Sequence, residues 1–120
     1  MIVVKVKEKL VLVIGGDMKN RVKLWIDDIR KPTNEFIWIK SVKEAIIFFT
    51  NNKSVIEEIS LDHDAGEFGP PDYICFLEWL EEKQQAEGWK IDAKFHIHSM
   101  NPVGRENMMR VIKRNGWSFS

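Results

Sequence analysis

The feature that most constrains the fold is an alternation of short β-like runs with amphipathic helical segments. Four apolar runs read as strands, and they lie at residues 22–26 (VKLWI), 36–40 (FIWIK), 55–61 and 94–98 (KFHIH). Segments with helical spacing of apolar residues follow the second, third and fourth runs. Strands that alternate with helical segments indicate crossover connections and a mostly parallel sheet. The sequence therefore predicts an α/β domain with a central sheet of four or five strands.

Local signals place the helix ends. Ser41 and Glu44 form a capping box at the start of the first helix, which is predicted to stop near Asn51 and Asn52. Asn101 followed by a proline begins the last helix, because an Asn cap and a proline in the first turn both suit a helix start. Asn115-Gly116 ends that helix. Residues 117–119 are then expected to form a short edge strand.

The chain has the size and composition of one domain. Its 120 residues are 44% hydrophobic, and a chain of this length can bury on the order of two-thirds of its unfolded surface. No apolar run approaches the roughly 20 residues that span a bilayer, so we expect a cytoplasmic protein without a membrane partner. Eighteen basic and eighteen acidic residues cancel, which gives no support for an extended nucleic-acid footprint.

Residues 1–17 form a separate part of the chain in this interpretation. Two β-rich stretches flank the charged Lys7-Glu8-Lys9, so this N-terminal extension is predicted to add a hairpin or one long edge strand. Alternatively, Met18 is the true start of the protein. In both cases residues 18–120 make up the α/β domain.

Polar clusters follow three of the predicted strands. They are Asp27-Asp28, Asp62-His63-Asp64 and His98-Ser99 with Asn101. In an open parallel sheet, ligands bind outside the carboxyl ends of the strands, where these clusters should meet. Two carboxylates from one strand and one from a neighbour, Asp62 or Asp64, make an oxygen-rich pocket of the kind that holds Mg²⁺ together with a phosphate oxygen. Mn²⁺ or Zn²⁺ is the alternative if histidine joins the ligands.

The three histidines all fall within these motifs. His96 and His98 lie on one side of their strand, with His98 nearer its carboxyl end, and His63 follows the third strand. A pair of imidazoles suits cleavage of a cyclic phosphodiester, since one takes a proton from water and the other gives one to the leaving oxygen. His98, His63 and His96 are therefore the candidate catalytic residues.

The loop at 99–105 is a candidate phosphate-binding element. It leads into the last helix, whose free backbone N–H groups and positive dipole end attract anions. Arg105 offers a bidentate guanidinium in the first turn, and Ser99 and Asn101 supply polar side chains. Arg30 is a further candidate, although it could instead pair with Asp28 or Asp64.

The same segments resemble the motifs of a known family. They are 25–30 (WIDDIR), 60–66 (SLDHDAG) and 96–108 (HIHSMNPVGRENM), and together they are similar to the cyclic-phosphate processing receiver domain over residues 22–117. The resemblance implies a flavodoxin-like three-layer sandwich in which Asp27 and Asp28 are the acidic metal-binding pair. It also implies that Asp62 or Asp64 lies near the phosphoacceptor position of signalling receivers, and that Ser99 is the hydroxyl residue ending the fourth strand.

One departure from the signalling pattern bears on function. Signalling receivers carry a lysine at the end of a fifth strand, and no lysine follows Arg114 here. Our functional prediction is a metal-dependent phosphoesterase that processes a cyclic phosphate in a nucleotide or at an RNA end. The alternative is a non-catalytic or signalling receiver-like module that binds a nucleotide or a partner protein, or is phosphorylated on aspartate.

Overall fold

The described residues form six strands and three helices. A computed structural model describes the backbone of residues 2–6 and 9–13 and the whole of residues 21–120. In chain order the elements are β1 (Ile2–Val6), β2 (Lys9–Val13), β3 (Val22–Ile26), β4 (Phe36–Ile39), α1 (Val42–Asn52), β5 (Ile56–Leu61), α2 (Ile74–Glu87), β6 (Lys94–Ile97) and α3 (Pro102–Arg114), with a 3-10 turn at Gly66–Phe68.

The central sheet has four parallel strands in the order β4-β3-β5-β6. Counted from β3, this is the 2-1-3-4 order of flavodoxin-like folds, whose ligand site lies between the first and third strands. The α/β prediction is confirmed, and the four predicted strands differ from the observed ones by at most one residue at an end. The carboxyl ends of β3 and β5 are therefore adjacent in the middle of the sheet.

All three helices cover the same face of the sheet. The crossover through α1 connects β4 to β5, and the crossover through α2 connects β5 to β6, so both run in the same direction across the sheet. Because such crossovers are right-handed, both helices lie on the same face. Burial agrees, because Phe95 and Ile97 of β6 are fully buried whereas Lys94 and His96 are exposed. The expected third layer is thus not provided by residues 21–120, because the connection from β3 to β4 contains no helix. This part of the chain has two layers.

The core fills the space between the helices and the covered face. Tyr73, Phe76, Leu77 and Leu80 are fully buried, as the helical spacing predicts, and they pack with the inward residues of the strands. In α3, Met108, Val111 and Ile112 are buried in the same cluster. Packing against this core fixes where each strand ends relative to its neighbours. The loops that follow the strands therefore lie side by side at one edge of the sheet.

The two ends of the chain only partly match expectation. Near the C-terminus, Phe119 forms a single parallel bridge with Phe95, which places the predicted edge strand beside β6. At the N-terminus, β1 and β2 form an antiparallel hairpin that pairs within itself and does not extend the central sheet. Met18, the alternative start, lies outside the described residues. No helix in the described part of the chain is long and apolar enough to cross a membrane.

The capping box at the start of α1 gives a direct stability prediction. Ser41 Oγ accepts the N–H of Glu44 at 3.1 Å, and the two side chains also meet at 3.2 Å. We expect Ser41→Ala to lower the free energy of unfolding by about 1 kcal/mol, because an N–H at the helix start loses its acceptor. Urea denaturation measures this, with the exposed Ser54→Ala as the control. A loss no larger than that of the control would contradict the assignment.

Candidate metal and phosphate site

Three carboxylates meet at the carboxyl edge of the sheet. Asp27 and Asp28 follow β3, and Asp62 follows the neighbouring β5. Each offers an oxygen that lies within 4.8 Å of the others. They line an open cavity of about 210 Å³ together with Ile29 and Arg30. The structure therefore brings together three of the four predicted metal ligands.

Asp27 is the most firmly held of the three. Its Oδ1 accepts the backbone N–H groups of Ile29 and Arg30, each at 3.0 Å, and its Oδ2 lies 2.8 Å from Nε2 of His98. Burial by itself would raise the pKa of Asp27, but these hydrogen bonds outweigh it and hold the pKa below the usual value. Asp27 is thus a preoriented carboxylate that stays ionised.

Asp28 has the opposite electrostatic character. Burial and the neighbouring charges of Asp27 and Asp62 raise its pKa. The backbone of Gly66 approaches it so closely that a Cβ there would lie 2.2 Å from Asp28 Oδ2, and Gly66 has a φ of +55°. The left-handed conformation favours a glycine at position 66, and a side chain there would also displace the Asp28 carboxylate.

The donor set suits a hard divalent cation. Carboxylate oxygens are the ligands that Mg²⁺ prefers, and Mg²⁺ completes its shell with waters and phosphate oxygens. A carboxylate has about four lone-pair sites, of which Asp27 uses three, so its Oδ2 keeps one for a cation. Three like charges this close also repel one another, and a cation would remove that repulsion.

Asp64, the fourth predicted metal ligand, belongs to a different group. Its Oδ1 lies 2.7 Å from Nδ1 of His63. His63, Asp64 and Asp72 each offer a ligand atom, and these three atoms lie within 4.8 Å of one another. The side chain of Asp64 is 58% exposed. The structure therefore places Asp64 as the partner of His63, beside the cluster formed by Asp27, Asp28 and Asp62.

His63 lies against the first turn of α3. A Cβ at Gly104 would come within 2.4 Å of its ring, so the helix approaches the imidazole as closely as a glycine allows. Its side chain is 15% exposed, and the hydrogen bond to Asp64 involves only Nδ1. The hydrogen bond at Nδ1 sets the tautomer of the ring, and it also fixes the direction in which Nε2 points.

His98 is held on both sides. Nδ1 lies 2.8 Å from Ser60 Oγ, Nε2 lies 2.8 Å from Asp27 Oδ2, and the ring stacks on Trp25 with centroids 3.9 Å apart. Burial lowers the pKa of His98, against the opposing effect of Asp27 and Asp62. Both nitrogens are therefore occupied within the protein, at a side chain that is 8% exposed.

His96 does not join the other two histidines. It is exposed on the face of the sheet opposite the helices, where Nδ1 lies 3.1 Å from the carbonyl of Ser120. The alternation along β6 puts it on the same side as His98, as predicted, but one pleat farther from the carboxyl edge. The structure shows no contact between His96 and the carboxylates.

The loop before α3 has the expected capping geometry. Asn101 accepts the N–H of Gly104 at 3.0 Å, and Ser99 Oγ accepts the N–H of Asn101 at 3.0 Å. The guanidinium of Arg105 donates to the carbonyl of Ile97, and that of Arg30 donates to the carbonyl of His98 at 3.3 Å. Arg30 lines the acidic cavity, whereas Arg105 is directed back to the end of β6.

A comparison with known families identifies this arrangement. The family model described as the cyclic-phosphate processing receiver domain matches residues 22–114. The chain belongs to the cyclic-phosphate processing receiver domain family. No curated protein and no solved structure gives a significant match. The matched range begins at β3 and ends with α3, so it contains every residue of the site described above.

As a cyclic-phosphate processing receiver domain, the chain has a receiver-like, flavodoxin-like fold and belongs to a family associated with processing of cyclic phosphates. Sequence reasoning had overlooked two contributors to its site. Ser60 is a buried polar residue between the apolar Ile59 and Leu61. A serine at such a position could have indicated a functional hydrogen bond. Tyr73 is fully buried in the core, and its hydroxyl donates to the carbonyl of Lys40 at 2.7 Å; burial together with the three carboxylates raises the pKa of that hydroxyl.

The raised pKa of Asp28 in this receiver domain predicts a pH dependence. Below the ordinary pKa of 3.8, the Asp28 carboxyl is protonated in both the folded and the unfolded protein. As the pH rises, the carboxyl ionises first in the unfolded chain, and the free energy of unfolding therefore falls. We therefore expect Asp28→Asn to stabilise the metal-free protein more at pH 7 than at pH 4. Urea denaturation with a chelator measures the difference.

The matched control is Asp92→Asn, which removes one exposed carboxylate just before β6, at the opposite edge of the sheet. If Asp28→Asn stabilised the protein equally at both pH values, repulsion within the cluster would not be the cause.

Proposed function

We propose that this receiver domain is a metal-dependent phosphoesterase that processes a cyclic phosphate, in a nucleotide or at an RNA end. The observation that carries the proposal is the meeting of Asp27, Asp28 and Asp62 within 4.8 Å at the carboxyl edge of the sheet. Family membership supports the substrate class, because the family is associated with cyclic-phosphate processing.

A divalent cation, Mg²⁺ or alternatively Mn²⁺, would be held by these three carboxylates. When bound, it polarises a phosphoryl oxygen and stabilises the charge that develops in the transition state. Asp27 is suited to a fixed ligand position by its hydrogen bonds, and Asp28 and Asp62 supply the remaining oxygens. Zn²⁺ is less well matched here, because neither nitrogen of His98 is left to join the carboxylates.

We assign proton transfer to His63. The carboxylate of Asp64 accepts a hydrogen bond from Nδ1–H, so Nε2 can take a proton from water and, once it carries that proton, donate it to the leaving oxygen. His63 directly follows Asp62, and its backbone N–H donates to Asp62 Oδ1 at 2.8 Å. The general base and the metal ligand are thus adjacent in the chain.

Phosphate recognition is assigned to Arg30 and to the start of α3. The Arg30 guanidinium has five N–H donors and lines the cavity beside the carboxylates, where it can pair with a phosphate oxygen. Ile29, which is 81% exposed at the same cavity, offers an apolar surface for a ribose or a base. These features suit a small phosphate ester better than a long nucleic-acid strand.

A substrate panel tests the proposal. It contains 2′,3′- and 3′,5′-cyclic nucleotides and RNA oligomers with cyclic-phosphate ends, each assayed with Mg²⁺, Mn²⁺ or Zn²⁺ and with a chelator. We expect turnover of at least one member that requires metal and is lost in Asp28→Asn. Arg30→Ala should chiefly weaken binding, by roughly 1.5–3 kcal/mol, because one charge-assisted contact is removed.

One observation favours a second function, a module that binds a cyclic nucleotide without turnover. Both nitrogens of His98, a predicted general acid or base, are occupied by protein partners. In that case a nucleotide would bind in a metal-dependent way, and no member of the panel would turn over. His63→Asn would leave the affinity for the nucleotide unchanged.

A further inference from the structure

A chain of hydrogen bonds connects three strands behind the acidic cavity. Ser60 Oγ on β5 lies 2.8 Å from Nδ1 of His98, at the end of β6, and Nε2 of His98 lies 2.8 Å from Oδ2 of Asp27, at the end of β3. All three residues are largely or fully buried. We infer that Ser60 and His98 are positioning residues that hold the carboxylate of Asp27 in its metal-binding orientation. The inference rests on the proposed metal site.

Hydrogen-bond chemistry fixes the direction of this relay. An ionised carboxylate only accepts hydrogen bonds, so the proton between His98 and Asp27 belongs to Nε2. Nδ1 of the neutral ring is then an acceptor, and the hydroxyl of Ser60 is the donor that satisfies it. Stacking on Trp25, with an interplanar angle of 8°, fixes the plane in which the ring directs its Nε2–H.

The relay determines which part of Asp27 remains for a cation. Oδ1 is occupied by two backbone N–H groups, which come from the loop after β3. The bond from His98 takes one lone-pair site of Oδ2, so the remaining site has a fixed direction. Hydrogen-bonding partners of this type commonly change metal affinity by roughly 10- to 100-fold when they are removed.

This assignment separates positioning from catalysis. A residue that acts through Asp27 alters the metal concentration that is needed, whereas a general acid or base alters the rate at saturating metal. His98→Phe keeps a ring that can stack on Trp25 but loses both hydrogen bonds. His98→Gln keeps a donor near Asp27, and Ser60→Ala removes only the far end of the relay.

The test measures Mn²⁺ dissociation constants by calorimetry for the full chain and these variants, with urea denaturation to confirm folding. We expect His98→Phe to raise the dissociation constant roughly 10- to 100-fold, with Ser60→Ala and His98→Gln between it and the wild type. His96→Ala is the matched control, since His96 lies two residues before His98 and its ring Nδ1 lies 3.1 Å from the carbonyl of Ser120, outside the relay. Unchanged affinity in folded His98→Phe, or in Ser60→Ala should His98→Phe not fold, overturns the inference.

A second measurement does not depend on metal. The ¹⁵N chemical shifts of the His98 ring in the metal-free protein report which nitrogen is protonated, and we expect a proton on Nε2. An unprotonated Nε2 overturns the relay even if the protein binds metal. A wild-type protein that binds no Mn²⁺ while Nε2 is protonated overturns the proposed metal site instead, so the two failures are distinguishable.

Discussion

Addition of Mg²⁺ or Mn²⁺ should raise the melting temperature of the wild-type protein, and Asp28→Asn should abolish the rise. A cation that binds only the folded state stabilises it by about 2.7 kcal/mol at a hundred times its dissociation constant. For a domain of this size that corresponds to roughly 10 °C. The effect is large because three carboxylates that repel one another in the metal-free protein acquire a common counter-ion.

The control for this experiment is again Asp92→Asn, which lies outside the cluster and should retain the full metal-induced rise. Sodium chloride at matched ionic strength separates metal binding from screening of surface charge. A full rise in the double variant Asp27→Asn/Asp28→Asn would show that the metal binds elsewhere, and the group formed by His63, Asp64 and Asp72 would then be the next candidate.

His63→Asn should lower kcat by roughly 10²- to 10⁴-fold, the range expected when proton transfer by a positioned side chain is lost. The metal-induced rise in melting temperature should persist in this variant, since His63 is not one of the three carboxylate ligands. Asp64→Asn should reduce kcat less, because it disturbs the orientation of the ring and leaves the ring itself in place.

Two controls make the His63 result specific. His96→Ala removes a histidine that lies away from the carboxylates, and its kcat should match the wild type. His98→Phe should recover much of its rate at saturating metal if His98 acts through Asp27, whereas a direct acid or base would not be rescued. Wild-type kcat in folded His63→Asn would remove His63 from the mechanism.

The strands and helix ends were predictable because their causes are local. The Ser41–Glu44 capping box, the Asn101 cap and the glycine at position 116 act within a few residues of the helix ends, and the structure shows the ends of α1 and α3 close to the predicted positions. The meeting of Asp27 and Asp62 followed from parallel pairing of β3 with β5, because carboxyl ends of parallel strands share one edge. These parts of the site depend on topology more than on side-chain detail.

The remaining features depend on contacts between distant residues. The partners of His98 are 38 and 71 residues away in the chain, so no spacing rule could assign its ring nitrogens. Asp64 directly follows His63, and only the direction of its side chain separates it from the Asp27 cluster. The family resemblance implies three layers, whereas within residues 21–120 the helices cover one face of the sheet, because the short connection after β3 carries no helix.

Two indole rings connect the loop after β3, which carries Asp27 and Asp28, to the sheet. Trp25 Nε1 donates to the carbonyl of Arg30 at 2.7 Å, and Trp38 Nε1 donates to the carbonyl of Asp27 at 2.8 Å. Any shift of that loop on ligand binding changes the surroundings of both chromophores, while Trp79, Trp89 and Trp117 pack with the core cluster. We therefore expect tryptophan fluorescence to change when a ligand enters the cavity, and a Trp38→Phe variant would show how much of the change comes from the indole bonded to Asp27.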